Sequence, residues 1–288
     1  MVIKANAKIN LAIDVRQKVE NGYHDVDMVT LPIELHDVLE IEPLAGSRDM
    51  YLTADDPTII CDETNLAYKA FGAMRKNFVL RKGYRIQIYK RIPTEAGLGG
   101  GSADAAGVIR AICKAYGIAV NDPKVIAIAR SVGSDIPFCL LNIPARVKGT
   151  GEIIEPLPDA RLDYGVLIVK PKTGLATKDV FAAYDRMDPA SQQHPNIEAL
   201  LEAIKDNDEA GMKRTMVNGL LRPALELCPL VGDILVKMEK MGFPLFSMSG
   251  AGSACFGLSK DRNALERAEA YFNSLGYVAV VSSTRVRK

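Results

Sequence analysis

The sequence has no Cys-x-x-Cys pair, no apolar run approaching the ~20 residues of a membrane span, and almost no net charge. Each absence removes a class of protein. The five cysteines (Cys61, Cys113, Cys139, Cys228 and Cys255) are scattered in apolar surroundings, which predicts reduced thiols in a cytoplasmic protein and neither a disulfide nor a zinc site. With 36 Lys and Arg against 35 Asp and Glu, the basic surplus is too small to neutralise several phosphates, so no nucleic-acid partner is expected. The remaining partner class is a small molecule. Polar residues interrupt the opening Met1-Val2-Ile3-Lys4-Ala5-Asn6-Ala7-Lys8 too often for a signal peptide, and a soluble chain without a membrane partner is expected. Only three histidines occur and no Gly-x-Ser-x-Gly elbow, so no Ser-His-Asp hydrolase is signalled, and no His or Cys spacing suggests a structural metal site.

What is present is 288 residues, 48% of them apolar, enough for a full core and, at ~150 residues per domain, for roughly two domains. From Ile3 to Val15 apolar residues alternate with Lys4, Asn6, Lys8 and Asn10, a strand with those polar residues on one face, about 6.6 Å between residues two apart. Asn21-Gly22 predicts a turn, followed by strands over Asp27 to Leu35 and Val38 to Pro43. A helix is expected from Asn65 to Lys76, a strand from Tyr84 to Lys90, and a helix from Ser102 to Tyr116. Asp122 and Pro123 open another helix that Gly133 stops. Short strands are predicted at Phe138 to Leu141 and Ala145 to Val147. Pro156-Leu157-Pro158-Asp159-Ala160 reads as a connector, giving domains 1–158 and 159–288. The second holds a strand from Tyr164 to Lys170, several helices, two strands flanking Ser249-Gly250-Ala251-Gly252, a helix from Asp261 to Leu275 and a strand from Tyr277 to Ser282. The irregular order favours α+β over a doubly wound sheet.

The strongest chemical signal is Pro93-Thr94-Glu95-Ala96-Gly97-Leu98-Gly99-Gly100-Gly101-Ser102-Ala103, a glycine loop between a strand and a helix. Successive glycines let backbone N–H groups converge on a phosphate, and the helix start adds more; the alternative is a tight turn or linker. It ends without the Gly-Lys-Ser/Thr of a P-loop and lacks the dinucleotide fingerprint. The cluster at Ser249 to Gly252 either approaches a ligand or serves hairpin geometry, and Lys148-Gly149-Thr150-Gly151-Glu152 is a hairpin turn. Asp135, in Gly133-Ser134-Asp135-Ile136-Pro137, is a general base or an ordinary helix cap. Lys8 and its neighbours line a cleft or face water, and Tyr23-His24 contacts a ligand or packs across strands.

Ala7-Lys8-Ile9-Asn10-Leu11, Asn21-Gly22-Tyr23-His24, Pro93 through Ala106, Gly133 through Pro137, Lys148 through Glu152 and Ser249 through Ser253, in this order and spacing, resemble the GHMP kinase superfamily along nearly the whole chain. Gly-Tyr-His and the Gly-Gly-Gly-Ser loop resemble its branch acting on a cytidine diphosphate-linked methylerythritol in the non-mevalonate route to isoprenoids. The resemblance implies an N-terminal domain like ribosomal protein S5 domain 2 and a ferredoxin-like C-terminal domain. It implies ATP phosphates on Pro93 to Ala103, with Asn65, Leu66 and Lys90 near the adenine, and Mg²⁺ carried by ATP with Ser102 as its candidate contact. Lys8 and Asp135 become the catalytic pair: Asp135 takes the proton of the C2 hydroxyl while Lys8 hydrogen-bonds that hydroxyl and keeps the carboxylate ionised. Tyr23 and Phe181 stack on cytosine, His24 bonds its edge, and Asn10 and Thr177 contact the erythritol. Ala103 stands where many members have a second serine, and Thr94-Glu95-Ala96 replaces a more glycine-rich run. Asn218-Gly219-Leu220-Leu221 lacks the acidic residues often found after that asparagine. A monomer or weak homodimer is expected. Another GHMP kinase with a plain alcohol substrate, or a non-catalytic nucleotide or sugar-phosphate binding protein, are the competing readings.

Overall fold

A computed structural model describes residues 1–20, 22–160 and 162–286; Asn21, expected in the turn with Gly22, lies outside the described residues. The chain forms two compact units that interleave in sequence. The first is built from residues 1–7, 35–92 and 99–142, the second from 8–34, 93–98 and 143–288. The first two strands, β1 (Val2–Lys18) and β2 (His24–Leu44), are long enough to contribute to both.

In the first unit the Val38 to Leu44 end of β2 pairs antiparallel with β4 (Gly83–Tyr89), which pairs parallel with β3 (Met50–Ala54). The helices are α1 (Leu66–Asn77), α2 (Gly100–Tyr116), α3 (Pro123–Val132) and α4 (Ile136–Leu141). Asp122 caps α3 through Lys124 N–H, and Gly133 ends it, as expected. Two expectations fail here. Phe138 to Leu141 is helical, not a strand: Pro137 in the first turn and Asn142 in the left-handed C-cap conformation fix one and a half turns, and a four-residue apolar run carries no period of its own. The two strands expected between Asp27 and Pro43 are one, because Asp37 at the polar break is fully buried and hydrogen-bonded. β3 was not foreseen; five residues are too few for a pattern.

In the second unit the Val26 to Thr30 stretch of β2 pairs with β5 (Ala145–Gly149), which forms a hairpin with β6 (Ile153–Pro156). That hairpin turns at Gly149 and Gly151, as predicted, with Glu152 accepting from Thr150 N–H and Oγ1. There follow β7 (Gly165–Lys170), α5 (Thr177–Asp185), α6 (Ile197–Lys205), α7 (Glu209–Thr215), α8 (Leu221–Leu227), α9 (Leu230–Lys240), β8 (Leu245–Met248), β9 (Cys255–Ser259), α10 (Arg262–Ser274) and β10 (Val278–Ser283). The last four-stranded sheet is antiparallel in the order β10-β7-β9-β8. Numbered from β7, that is fourth-first-third-second with helices after the first and third strands, the ferredoxin-like arrangement. Its core joins Leu167, Val169, Val180, Ile234, Met248, Cys255 and Phe272. No helix among the described residues is long and apolar enough to cross a membrane.

Candidate active site

The glycine loop is shared out along the chain, with Pro93 to Leu98 in the second unit and the residues from Gly99 in the first. In the first unit α2 begins after Gly99, which sits at φ 73 and offers no side chain to cap the helix. Among the described residues no protein acceptor takes the N–H groups of Gly100, Gly101 or Ser102, while Ala103 N–H already bonds Gly99 O at 2.8 Å. Three N–H donors at the positive end of a 17-residue helix are a donor set of the kind that receives an anion. Leu66 lies against it: a Cβ on Gly101 would stand 3.7 Å from Leu66 Cδ1. Asn65 caps α1, accepting from Ala67 N–H at 2.9 Å and donating to Ile60 O at 2.6 Å, so its amide is committed to the helix start.

Lys90 is built in underneath. A Cβ on Gly100 would stand 3.5 Å from Lys90 Nζ, and that ammonium pairs with Asp37 and with Asp104 Oδ2 at 2.8 Å. All three side chains are at most 6% exposed. Asp37 also accepts from Arg91 and Ile92 N–H, and so pins the strand end that leads into the loop. Burial would lower the Lys90 pKa, but Asp104 and Asp37 together raise it. Burial raises Asp104 to about 7, with Lys90 opposing and Asp37 reinforcing the rise; Asp104 Oδ1 is buried with no partner. A carboxyl whose pKa rises on folding, from 3.8 to about 7, binds its proton more tightly in the folded chain, so stability falls as pH climbs through that window. At ~1.4 kcal/mol per unit the term is large. Thermal melts between pH 4 and 8 are expected to show the stability of Asp104→Asn relative to wild type increasing with pH; parallel curves contradict this.

In the second unit Pro93 to Leu98 rests on the second glycine cluster. Ser249 Oγ donates to Gly97 O at 3.0 Å, Ala254 N–H to Ala96 O at 3.2 Å, and Ser253 N–H to Glu95 O at 3.4 Å. Asn218 holds the cluster from behind, its Nδ2 donating to Met248 O and Gly250 O, both at 2.9 Å. Ser249 to Gly252 is therefore a brace for the loop, the backbone role that its small residues allow. Glu95 has φ 49, a left-handed conformation that favours glycine. Gly97, at φ +71, has no room for a side chain: a Cβ would meet Ser249 O at 2.1 Å. Gly97→Ala is expected to lower Tm and raise KM for ATP by at least ~10-fold, since left-handed backbone alone costs ~1–3 kcal/mol and the overlap adds to it; unchanged kinetics would remove the loop from nucleotide binding.

Asn6, Lys8 and Asn10 on β1 are buried, at 6%, 5% and 1% exposure, so this face is not the solvated one. Lys8 Nζ donates to Asn10 Oδ1 at 2.7 Å, and Asn10 Nδ2 donates to Thr30 Oγ1 at 2.9 Å, which aims the ammonium from one strand by its neighbour. In the first unit, half-buried Asp135 opens α4 without a side-chain cap hydrogen bond, so the ordinary capping explanation does not account for it. His24 stacks on Phe181 (4.9 Å between centroids, 26° between planes) and its Nε2 lies 2.6 Å from Asp185 Oδ1. Tyr23 beside it is 60% exposed, and Thr177 is the exposed first residue of α5.

Each unit thus gathers its own share of the expected residues: Asn65, Leu66, Lys90, Gly100 to Ala103 and Asp135 in the first; Lys8, Asn10, Tyr23, His24, Pro93 to Leu98, Thr177 and Phe181 in the second. Asp37, Asp104, Asp185 and Asn218 were missed as supports. Asp104 is the one acidic residue in a run of small ones after the loop, and Asp37 interrupts an apolar strand, both readable signals of buried charge.

Residues 65–142 match the GHMP kinases N-terminal domain family, and 197–278 the GHMP kinases C-terminal family. A 4-diphosphocytidyl-2-C-methyl-D-erythritol kinase from Geobacillus thermodenitrificans is 34% identical over 92% of this chain and 90% of its own length. One of the same name from Exiguobacterium sibiricum is 34% identical over 96% and 93%. A crystal structure of 4-(cytidine 5'-diphospho)-2C-methyl-D-erythritol kinase superposes with a TM-score of 0.80 at 33% identity, covering 98% of both chains. A homoserine kinase from Cytophaga hutchinsonii, 18% identical with a TM-score of 0.74 over 97% and 95%, shares the fold. With both halves matched and a third of its residues shared over nearly its whole length, the chain belongs to the GHMP kinases, in the 4-diphosphocytidyl-2-C-methyl-D-erythritol kinase family.

Proposed function

We propose that the protein transfers the γ-phosphoryl group of ATP to the C2 hydroxyl of 4-diphosphocytidyl-2-C-methyl-D-erythritol, giving the 2-phosphate in the non-mevalonate route to isoprenoid precursors. The observation that carries this is the uncapped start of α2, with three N–H groups that no acceptor among the described residues takes, in a chain of this family. ATP phosphates bind the N–H groups of Gly100, Gly101 and Ser102, with Pro93 to Leu98 as the loop's other arm. Asn65, Leu66 and Lys90 border the adenine, with the Lys90 ammonium held in the buried triad. Little covalent work is asked of the protein in such a transfer; orientation and charge dominate. Lys8 donates to the substrate hydroxyl and Asp135 accepts its proton, while Asn10 steadies Lys8 and, with Thr177, contacts the erythritol. Tyr23, His24 and Phe181 receive the cytosine.

The donor set at the helix end, a hydroxyl beside three unpaired N–H groups, fits a nucleotide whose metal arrives with it. Ser102 would hold the Mg²⁺, which supplies charge neutralisation at the phosphates. The enzyme works in the cytoplasm as a monomer or weak homodimer, without nucleic-acid or membrane partners. ADP release over a substrate panel tests the reading. ADP formed with the cytidine substrate, and not with homoserine or mevalonate, is expected. Turnover only of a plain alcohol would make this another GHMP kinase, and nucleotide binding without turnover of any alcohol a binding protein.

A further inference from the structure

His24 begins β2 with its imidazole only 6% exposed, and the ring is held on three sides. Phe181 stacks on one face, Tyr184 meets it edge-on at 6.2 Å and 89°, and Asp185 Oδ1 takes Nε2 at 2.6 Å. Phe181, Tyr184 and Asp185 all lie on α5, so one helix sets the ring's plane and its proton together. The second oxygen of Asp185 binds Lys18 Nζ at 2.6 Å. Burial acts to raise the Asp185 pKa, but hydrogen bonds from Lys18 and His24 hold it below the ordinary carboxylate value. It is therefore an acceptor, and Nε2 must carry the hydrogen. A neutral imidazole has one N–H, so the proton held at Nε2 makes Nδ1 an acceptor. No protein group among the described residues takes Nδ1.

We propose that Asp185 is a positioning residue for base choice: it fixes His24 as the Nε2–H tautomer, so that Nδ1 accepts from the exocyclic amino group of the base and disfavours a carbonyl in its place. This rests on the reading that the substrate's base lies against His24. Cytosine presents an amino group where uracil presents an oxygen acceptor. An acceptor facing an acceptor loses the hydrogen bond and leaves both desolvated, worth roughly 10- to 100-fold in kcat/KM. Replacing such an aspartate by asparagine keeps the shape while letting the amide donate to Nε2, which moves the ring proton to Nδ1.

The test uses the whole enzyme with the cytidine diphosphate-linked substrate and its uridine analogue, in wild type and Asp185→Asn. In wild type the cytidine substrate is expected to be preferred by at least ~10-fold, and in the variant that preference falls about tenfold, through the nucleoside substrate's KM rather than the KM for ATP. A preference retained in the variant overturns the role of Asp185 and leaves the base-binding reading standing. Absence of preference in wild type overturns that reading, and the role of Asp185 with it. A second measurement needs no variant with altered Asp185: two-bond proton–nitrogen spectra of the imidazoles in the wild-type protein, with His24 assigned by its loss in His24→Gln. A protonated Nε2 with a bare Nδ1 is expected; an Nδ1–H tautomer or an imidazolium overturns the proposal.

Discussion

Asp135→Ala is expected to cut turnover by at least ~10²-fold, the scale of a lost general base, with KM for ATP within about threefold of wild type. Asp135 stands at the start of α4, where a side-chain cap is the usual duty of an aspartate, and its carboxylate does not perform it. Ile136 to Leu140 behind it are buried, which fixes the backbone that carries the carboxylate. A proton acceptor of this kind acts on the hydroxyl as it attacks, so its loss falls on kcat. Asp135→Asn, which keeps size but not basicity, is expected to resemble Ala. Near-normal turnover in either variant would remove Asp135 from the reaction.

Lys90→Met carries the largest expected effect on stability. The change leaves Asp37 and Asp104 buried with no cation between them, and stranding charge in this way costs ~3–5 kcal/mol. In a chain of this length that is a fall in Tm on the order of 10 °C. The triple change Lys90→Met, Asp37→Asn and Asp104→Asn removes the stranded charge and is expected to recover most of the loss, because a buried ion pair exchanged whole for neutral groups is often close to neutral. A Lys90→Met variant with unchanged Tm and a raised KM for ATP would show instead that the ammonium serves the nucleotide.

Most strands and helices were legible because each buries one face: the alternation from Ile3 to Val15, the capped helix from Asp122, and the paired strands around Ser249 all read directly. Phe138 to Leu141 did not, since a continuous apolar run fits either period and Pro137 with Asn142 decides it. The uncapped helix start after Gly99 was legible from its glycines, and the brace formed by Ser249 to Gly252 was half-legible: small residues signal close approach without naming the partner, here Gly97 and Glu95. Lys90 shows the limit most plainly. A lysine at a strand end beside a glycine loop suggests a ligand contact, while the carboxylates that claim it come from 53 residues upstream and 14 downstream. Polar partners brought together by the fold leave no spacing to read. The same holds for His24 and Asp185, 161 residues apart.

Phosphorus NMR of the protein incubated with ATP, magnesium and 4-diphosphocytidyl-2-C-methyl-D-erythritol tests the transfer most directly. One new phosphomonoester resonance should grow as the γ-phosphate of ATP disappears, with the diphosphate bridge of the substrate intact. ATP left unconsumed, or consumed to inorganic phosphate alone, would contradict a kinase acting on this alcohol.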